Sequence, residues 1–122
     1  MNESLCILVR RAPYGTIHAA EAFRHLAGAL NFGLKVTAVL VDDGIYMAKN
    51  NQKTQTFGWT SLSESLTSFL NTAKGKDTKV FIHDSSLKVR GLEKEHLIEG
   101  IELMDDKKLA ELLSTSHSVM LF

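Results

Sequence analysis

Among its 122 residues the chain has a single cysteine, Cys6, so no internal disulfide can form. A reducing compartment, the cytoplasm, is the default expectation for such usage. Proline is equally sparse: Pro13 is the one instance, and no stretch reads as a linker, a repeat or a low-complexity segment. Neither sign of charge dominates, since 14 Lys and Arg balance 14 Asp and Glu. That balance argues against a nucleic-acid binder that works by neutralising phosphates, and it offers no polybasic patch for a membrane surface. It also gives little repulsion between copies, which suits an oligomer subunit. Long apolar runs are missing too; none approaches the roughly 18–20 residues of a membrane span. The start, MNESLCILVRR, reads as a strand rather than a signal peptide, because its apolar stretch is short and follows an acidic residue.

What is present is the composition of a globular domain, 44% hydrophobic and 23% charged, with residues 1–122 expected to form one domain. Leu5 to Val9 is a continuous apolar run between polar flanks, as in a strand buried on both faces. Arg11-Ala12-Pro13-Tyr14-Gly15 is a turn, and Thr16 is placed to cap the helix whose stripe is Ala19, Phe23, Leu26 and Leu30, beside Ala22 and Ala29. Asn31 and Gly33 stop that helix, Gly33 in the left-handed conformation. A second strand runs from Lys35 to Val41 and ends at Asp42-Asp43-Gly44, with a short helix from Ile45 to Lys49. Asn50 to Gly58 reads as an irregular loop. Ser61 and Glu64 have capping-box spacing ahead of the stripe Leu62, Leu66, Phe69 and Leu70.

Lys79 to His83 is the third strand, followed by a short helix from Ser85 to Arg90 with Gly91 after it. A fourth strand is placed within Leu97 to Leu103, interrupted at Glu99-Gly100. Asp105 caps a last helix carrying Leu109, Leu112 and Leu113, and Ser118 to Leu121 is a final strand. Strands alternating with helices predict an α/β fold: three layers, α/β/α, around a mainly parallel sheet of about five strands, covered on both faces.

The carboxyl ends of parallel strands are where ligands bind in such sheets. The third strand ends in His83, Asp84, Ser85 and Ser86. His83 could contact a ligand with Asp84 orienting it, or serve as a turn residue with Asp84 or Ser85 capping the next helix. A serine-hydrolase reading lacks the G-x-S-x-G elbow. After the first strand, Arg10, Arg11 and the amides of Gly15 and Thr16 could hold an anion, or simply form a tight turn closed by Pro13. His18, Glu21 and His25 share one helix face, yet without an H-E-x-x-H pattern they read as solvated surface, and neither a metal nor a cofactor is expected. Tyr46, Met47, Phe57 and Trp59 flank the polar loop, either as a subunit contact or as a lid on the domain itself. Cys6 lies within an apolar run, which favours a core role and a suppressed thiolate.

Several short motifs, in order, resemble the DsrE/DsrF-like sulfur-relay family. They are Arg11-Ala12-Pro13-Tyr14-Gly15-Thr16, Phe32-Gly33, Asp43-Gly44-Ile45-Tyr46 with Gln52 beyond, and Ser86-Leu87-Lys88-Val89-Arg90-Gly91-Leu92, followed by Val119-Met120-Leu121-Phe122. Their pattern is similar to the DsrF or TusC type of subunit. The resemblance implies a compact α/β subunit of a cytoplasmic oligomer that passes persulfide sulfur toward tRNA thiolation or takes part in sulfur oxidation. Its implied partners are DsrE/TusD-like and DsrH/TusB-like subunits, or copies of itself, with no direct contact to nucleic acid. The family's carrier cysteine stands eight residues before the position of Gly91, and here that residue is His83. Imidazole cannot hold a transferable sulfane sulfur as a thiolate does. The expected role is therefore a subunit without sulfurtransferase activity of its own. The alternative is a homo-oligomeric anion- or small-ligand-binding module using Arg11, Tyr14, Gly15, Thr16, His83, Asp84 and Ser85 around a pocket between subunits. A third reading, an enzyme using Cys6 directly, requires that thiol to be accessible.

Overall fold

A computed structural model describes residues 4–50 and 61–122. Strand β1 is Leu5–Val9, β2 Val36–Leu40, β3 Thr78–His83, β4 Glu102–Met104 and β5 Ser118–Leu121; helix α1 is His18–Asn31, α2 Leu62–Thr72, α3 Asp84–Val89 and α4 Asp106–Thr115. The five strands form one sheet in the order β4-β3-β2-β1-β5, and every pairing is parallel. The register sets Ile7 beside Ala38 and Met120, and Ala38 beside Val80, so apolar rows run across the sheet.

Chain direction explains how the helices are shared between the two faces. The steps β1 to β2, β2 to β3 and β3 to β4 all move the same way across the sheet. Right-handed crossovers then bring α1, α2 and α3 to one face. Ile7, Val9, Val36, Leu40, Val80 and Ile82 meet Leu26, Leu66, Phe69 and Leu87 there. Only the return from β4 to β5 reverses direction, so among the described residues α4 stands alone on the second face, where Leu109 and Leu112 pack on Val39, Val41 and Met104. The two faces are thus covered unequally, a point the alternation of elements could not convey.

Helix ends follow their local chemistry, with some departures from expectation. Ser61 accepts from the Glu64 amide at 3.2 Å and Asp105 from the Lys108 amide at 2.8 Å, as cap residues do. Gly33 has φ +68 after α1, the left-handed stop predicted for it. Thr16 is not the cap of α1: Ile17 occupies that place, no side chain caps it, and its carbonyl accepts from the Glu21 amide at 2.9 Å. The short helix expected from Ile45 is a 3₁₀ segment over Asp42–Ala48, starting directly after the strand. The fourth strand is shorter than expected, because a 3₁₀ turn at Lys94–His96 and Gly100 at φ +87 take up the preceding residues. Leu97 instead makes an isolated antiparallel bridge with Lys49. Cys6 is fully buried, and burial pushes its thiol up to about 11. No helix among the described residues is long and apolar enough to cross a membrane.

Candidate functional site at the end of the third strand

Side-chain alternation decides where His83 points. Phe81 packs on the α4 face, and His83, two residues on, shares that side. Its ring is 15% exposed and lies between α3 and the first turn of α4. Nε2 is 2.5 Å from Oδ1 of Asp106, and Nδ1 is 2.8 Å from Oγ of Ser86. Asp106 also accepts from the Ser85 hydroxyl at 2.9 Å. The hydrogen bonds from His83 first, then from Ser85, hold the Asp106 carboxyl below its ordinary value of 3.8. In the tautomer with its proton on Nε2, the ring donates to the Asp106 carboxylate and Nδ1 accepts from the Ser86 hydroxyl. The Ser86 oxygen in turn accepts from the Asp42 amide at 2.9 Å. The chain of donors runs from Asp42 through Ser86 and His83 to Asp106, and it leaves no ring lone pair free to take a proton from outside.

Asp42 is held at φ +49, a conformation uncommon for a residue with a side chain. It belongs to the turn that Arg90 also grips: Nε and Nη2 donate to Oδ1 of Asp43 at 3.1 and 3.0 Å, while Nη1 donates to the Ser86 carbonyl at 3.3 Å. Gly44 follows with no room for a side chain, since a Cβ would fall 1.9 Å from the Val9 carbonyl oxygen. Gly91 closes α3 at φ +67, with Gly91 N bonded to Lys88 O and Leu92 N to Leu87 O at 3.1 and 3.0 Å. These two bonds are a Schellman stop. The segments Asp43-Gly44 and Ser86 to Leu92 therefore lash the ends of β1, β2 and β3 together.

The expected partners of His83 are only partly those observed. Asp84 does not orient the ring; Asp106, whose side chain is 75% exposed on another helix, does. Neither Asp84 nor Ser85 caps α3, because His83 itself is the cap residue and no side chain caps the helix. His83, Asp84 and Asp106 place ligand-type atoms within 4.8 Å of one another, and within this group Nε2 of His83 is bonded to Oδ1 of Asp106. Position alone pointed to His83 and Ser86; no spacing rule could join Asp106 to them across two further elements.

The turn after β1 stands apart from this network. Strand β2 lies between β1 and β3, so two strand spacings, roughly 10 Å, separate the two ends. Arg11, Gly15 and Thr16 are exposed, with Gly15 at φ +94, and the Tyr14 hydroxyl accepts from the Leu62 amide at 3.4 Å. The structure does not bring this group onto His83. The turn does adjoin the switch point between β1 and β5, where the direction of crossover reverses. On α1, Glu21 pairs with Arg24 at 2.7 Å and the Glu21 carbonyl meets Nδ1 of His25 at 2.8 Å, so His18, Glu21 and His25 are not gathered as ligands. Met47 is only 2% exposed and Tyr46 is partly buried against the core, so of the two readings, subunit contact or cover on the domain itself, their burial fits the second. Phe57 and Trp59 lie outside the described residues.

The DsrE/DsrF-like family profile matches residues 3–122. The chain belongs to that family. It is 27% identical to the intracellular sulfur oxidation protein DsrF of Allochromatium vinosum, over 94% of this chain and 93% of the relative. It is 28% identical to the TusC homolog of Pseudomonas aeruginosa, over 98% of each. Among solved structures, the ychN protein from E. coli superposes with a TM-score of 0.82 at 21% identity, covering 98% of this chain and 99% of the other. That likeness shows a shared fold. The DsrE/DsrF-like membership inferred from the ordered motifs is thereby established, and the chain is similar to relatives of the DsrF and TusC type.

Proposed function

We propose that this protein is a non-catalytic subunit of a cytoplasmic sulfur-relay assembly, working beside DsrE/TusD-like and DsrH/TusB-like subunits. The observation that carries this reading is His83 at the position the family resemblance gives to the carrier cysteine, with both ring nitrogens committed. Persulfide transfer needs a thiolate that attacks a sulfane sulfur and passes it on. The strand end has none, and Cys6 is buried with its thiol pushed up to about 11. The names of the relatives, a sulfur oxidation protein and a TusC homolog, support the pathway class. The role left to the subunit is to present a rigid strand end against a partner that holds the reactive cysteine.

The test is incubation with a cysteine desulfurase and cysteine, alone and with co-expressed DsrE-like subunits, followed by intact-mass spectrometry and co-purification. The expected result is sulfur on the partner, none on Cys6, and stable co-elution. A persulfide on Cys6, or indifference to every such partner, overturns the reading. The alternative, a homo-oligomeric anion-binding module, draws on one observation: Arg10 and Arg11 are exposed beside the β1/β5 switch point and enter no ion pair among the described residues. Inorganic phosphate or thiosulfate binding abolished by Arg11→Ala would favour it.

A further inference from the structure

We infer that His83, Asp84 and Asp106 form a binding site for a divalent transition-metal cation of the zinc class, at the carboxyl end of β3. The inference does not depend on the relay reading; it begins from three elements that meet at one point. His83 is the last residue of β3, Asp84 the first of α3 and Asp106 the first of α4. Each offers a ligand atom, and these atoms all lie within 4.8 Å of one another. A carboxylate at the start of a helix answers the helix dipole, so either aspartate alone would mean little. The imidazole beside them is what helix ends do not require. One imidazole with two carboxylates is a donor set that suits zinc.

The surroundings supply what a metal-binding histidine needs, a partner that holds its far nitrogen so that the near one keeps its aim. Nδ1 is 2.8 Å from the Ser86 hydroxyl, on a residue only 4% exposed that is anchored in turn by the Asp42 amide at 2.9 Å. Nε2 points the other way, onto Asp106. With the ring proton on Nε2, that proton bridges the same two atoms a cation would bridge. Entry of the cation shifts the tautomer: the proton goes to Nδ1, a second lone pair of the Ser86 oxygen accepts it, and the neutral ring gives its Nε2 lone pair to the metal. Bonds of about 2.0–2.2 Å in a tetrahedral site set ligand atoms roughly 3.4 Å apart, so Asp106 must withdraw and Asp84 close in. Both are suited to the move. The Asp106 side chain is 75% exposed on a helix that buries none of its residues. Asp84 accepts one long bond, 3.4 Å from the Ser85 hydroxyl, and enters no ion pair among the described residues, so its oxygens have capacity left. Lys88 opposes a cation through its charge near Asp106, but it is exposed and can turn into water. A water completes the coordination, as in zinc sites with three protein ligands.

Isothermal titration of the purified, chelator-treated full chain with zinc chloride near neutral pH tests this, with circular dichroism confirming that each variant is folded. The wild type is expected to take up one zinc per chain with micromolar or tighter affinity. Cobalt(II) should give the ligand-field bands of a nitrogen–oxygen site with no thiolate charge-transfer band, which sets the site apart from Cys6. His83→Ala and Asp84→Asn should each weaken zinc binding about tenfold or more. Asp84→Asn is the sharper variant, because Asp84 carries so little of the local bonding that a purely structural cluster would barely register its loss. His25→Ala and His96→Ala, on other elements, should bind zinc as the wild type does. No uptake by the wild type at millimolar zinc overturns the proposal. So does unchanged affinity in His83→Ala or Asp84→Asn, or affinity lost in His25→Ala or His96→Ala. The relay reading rests on the missing thiolate, so failure here leaves it untouched, and failure to bind relay partners leaves this site untouched.

Discussion

The ring of His83 joins an exposed carboxylate to a buried hydroxyl, and its chemistry follows from those two neighbours. Asp106 is held below 3.8 by bonds that exist only in the fold. A carboxyl whose folded value is lowered contributes stability above its unfolded value, and that contribution is lost as pH falls through the lowered value. Acidification from pH 7 to 3 should therefore weaken the wild type more than Asp106→Asn, which keeps an acceptor for Nε2 but does not titrate. Paired thermal melts across that range measure it; identical pH dependence in the two proteins would contradict the bond. Cys6 works in the opposite sense. Its thiol is raised to about 11, so the neutral form is favoured in the fold and the contribution fades as pH climbs from about 9 toward that value. At pH 8 a thiol-specific reagent should react slowly with the native protein and to completion in guanidinium, whereas rapid native labelling would reopen a reactive role for Cys6.

Between elements, the strand end is held by backbone fit as much as by side chains. Gly44 tolerates no Cβ because the Val9 carbonyl occupies the space, and both partners are backbone fixed in or beside strands. Gly44→Ala should cost about 3 kcal/mol or more in urea denaturation, the penalty of overpacking where nothing can move aside. Much of this level was legible in the sequence. The apolar run Leu5 to Val9 is β1 to the residue, the Ser61 and Asp105 caps are where their spacing put them, and Gly33 and Gly91 end their helices as glycines do. What failed lacked a local signal. Thr16 has the right chemistry for a cap but sits one residue ahead of the cap position, and only the three-dimensional path of the turn decides that. Met47 borders a polar stretch, which left open whether it meets another subunit or its own domain, and the 3₁₀ segment turns it into the core. Asp106 was invisible as a partner of His83 because the pairing depends on α4 crossing the second face of the sheet.

Across the whole molecule the same asymmetry sets how firmly each part is held. Strands β1, β2 and β3 are sandwiched between the α1–α2 layer and the α4 face, with Ile7, Val36, Val39, Leu40 and Ile82 almost wholly removed from water. The second face has the smaller cluster, β4 contributes three residues to the sheet, and α4 buries none of its own. Local opening free energies scale with buried apolar contact, so the molecule should not open as one unit. Native-state hydrogen exchange is expected to place the amides of β1, β2, β3 and α1 near the global unfolding free energy, with α4, β4 and β5 opening at distinctly lower cost. Equal protection of α1 and α4 would mean that one helix suffices for its face, and would contradict this ranking.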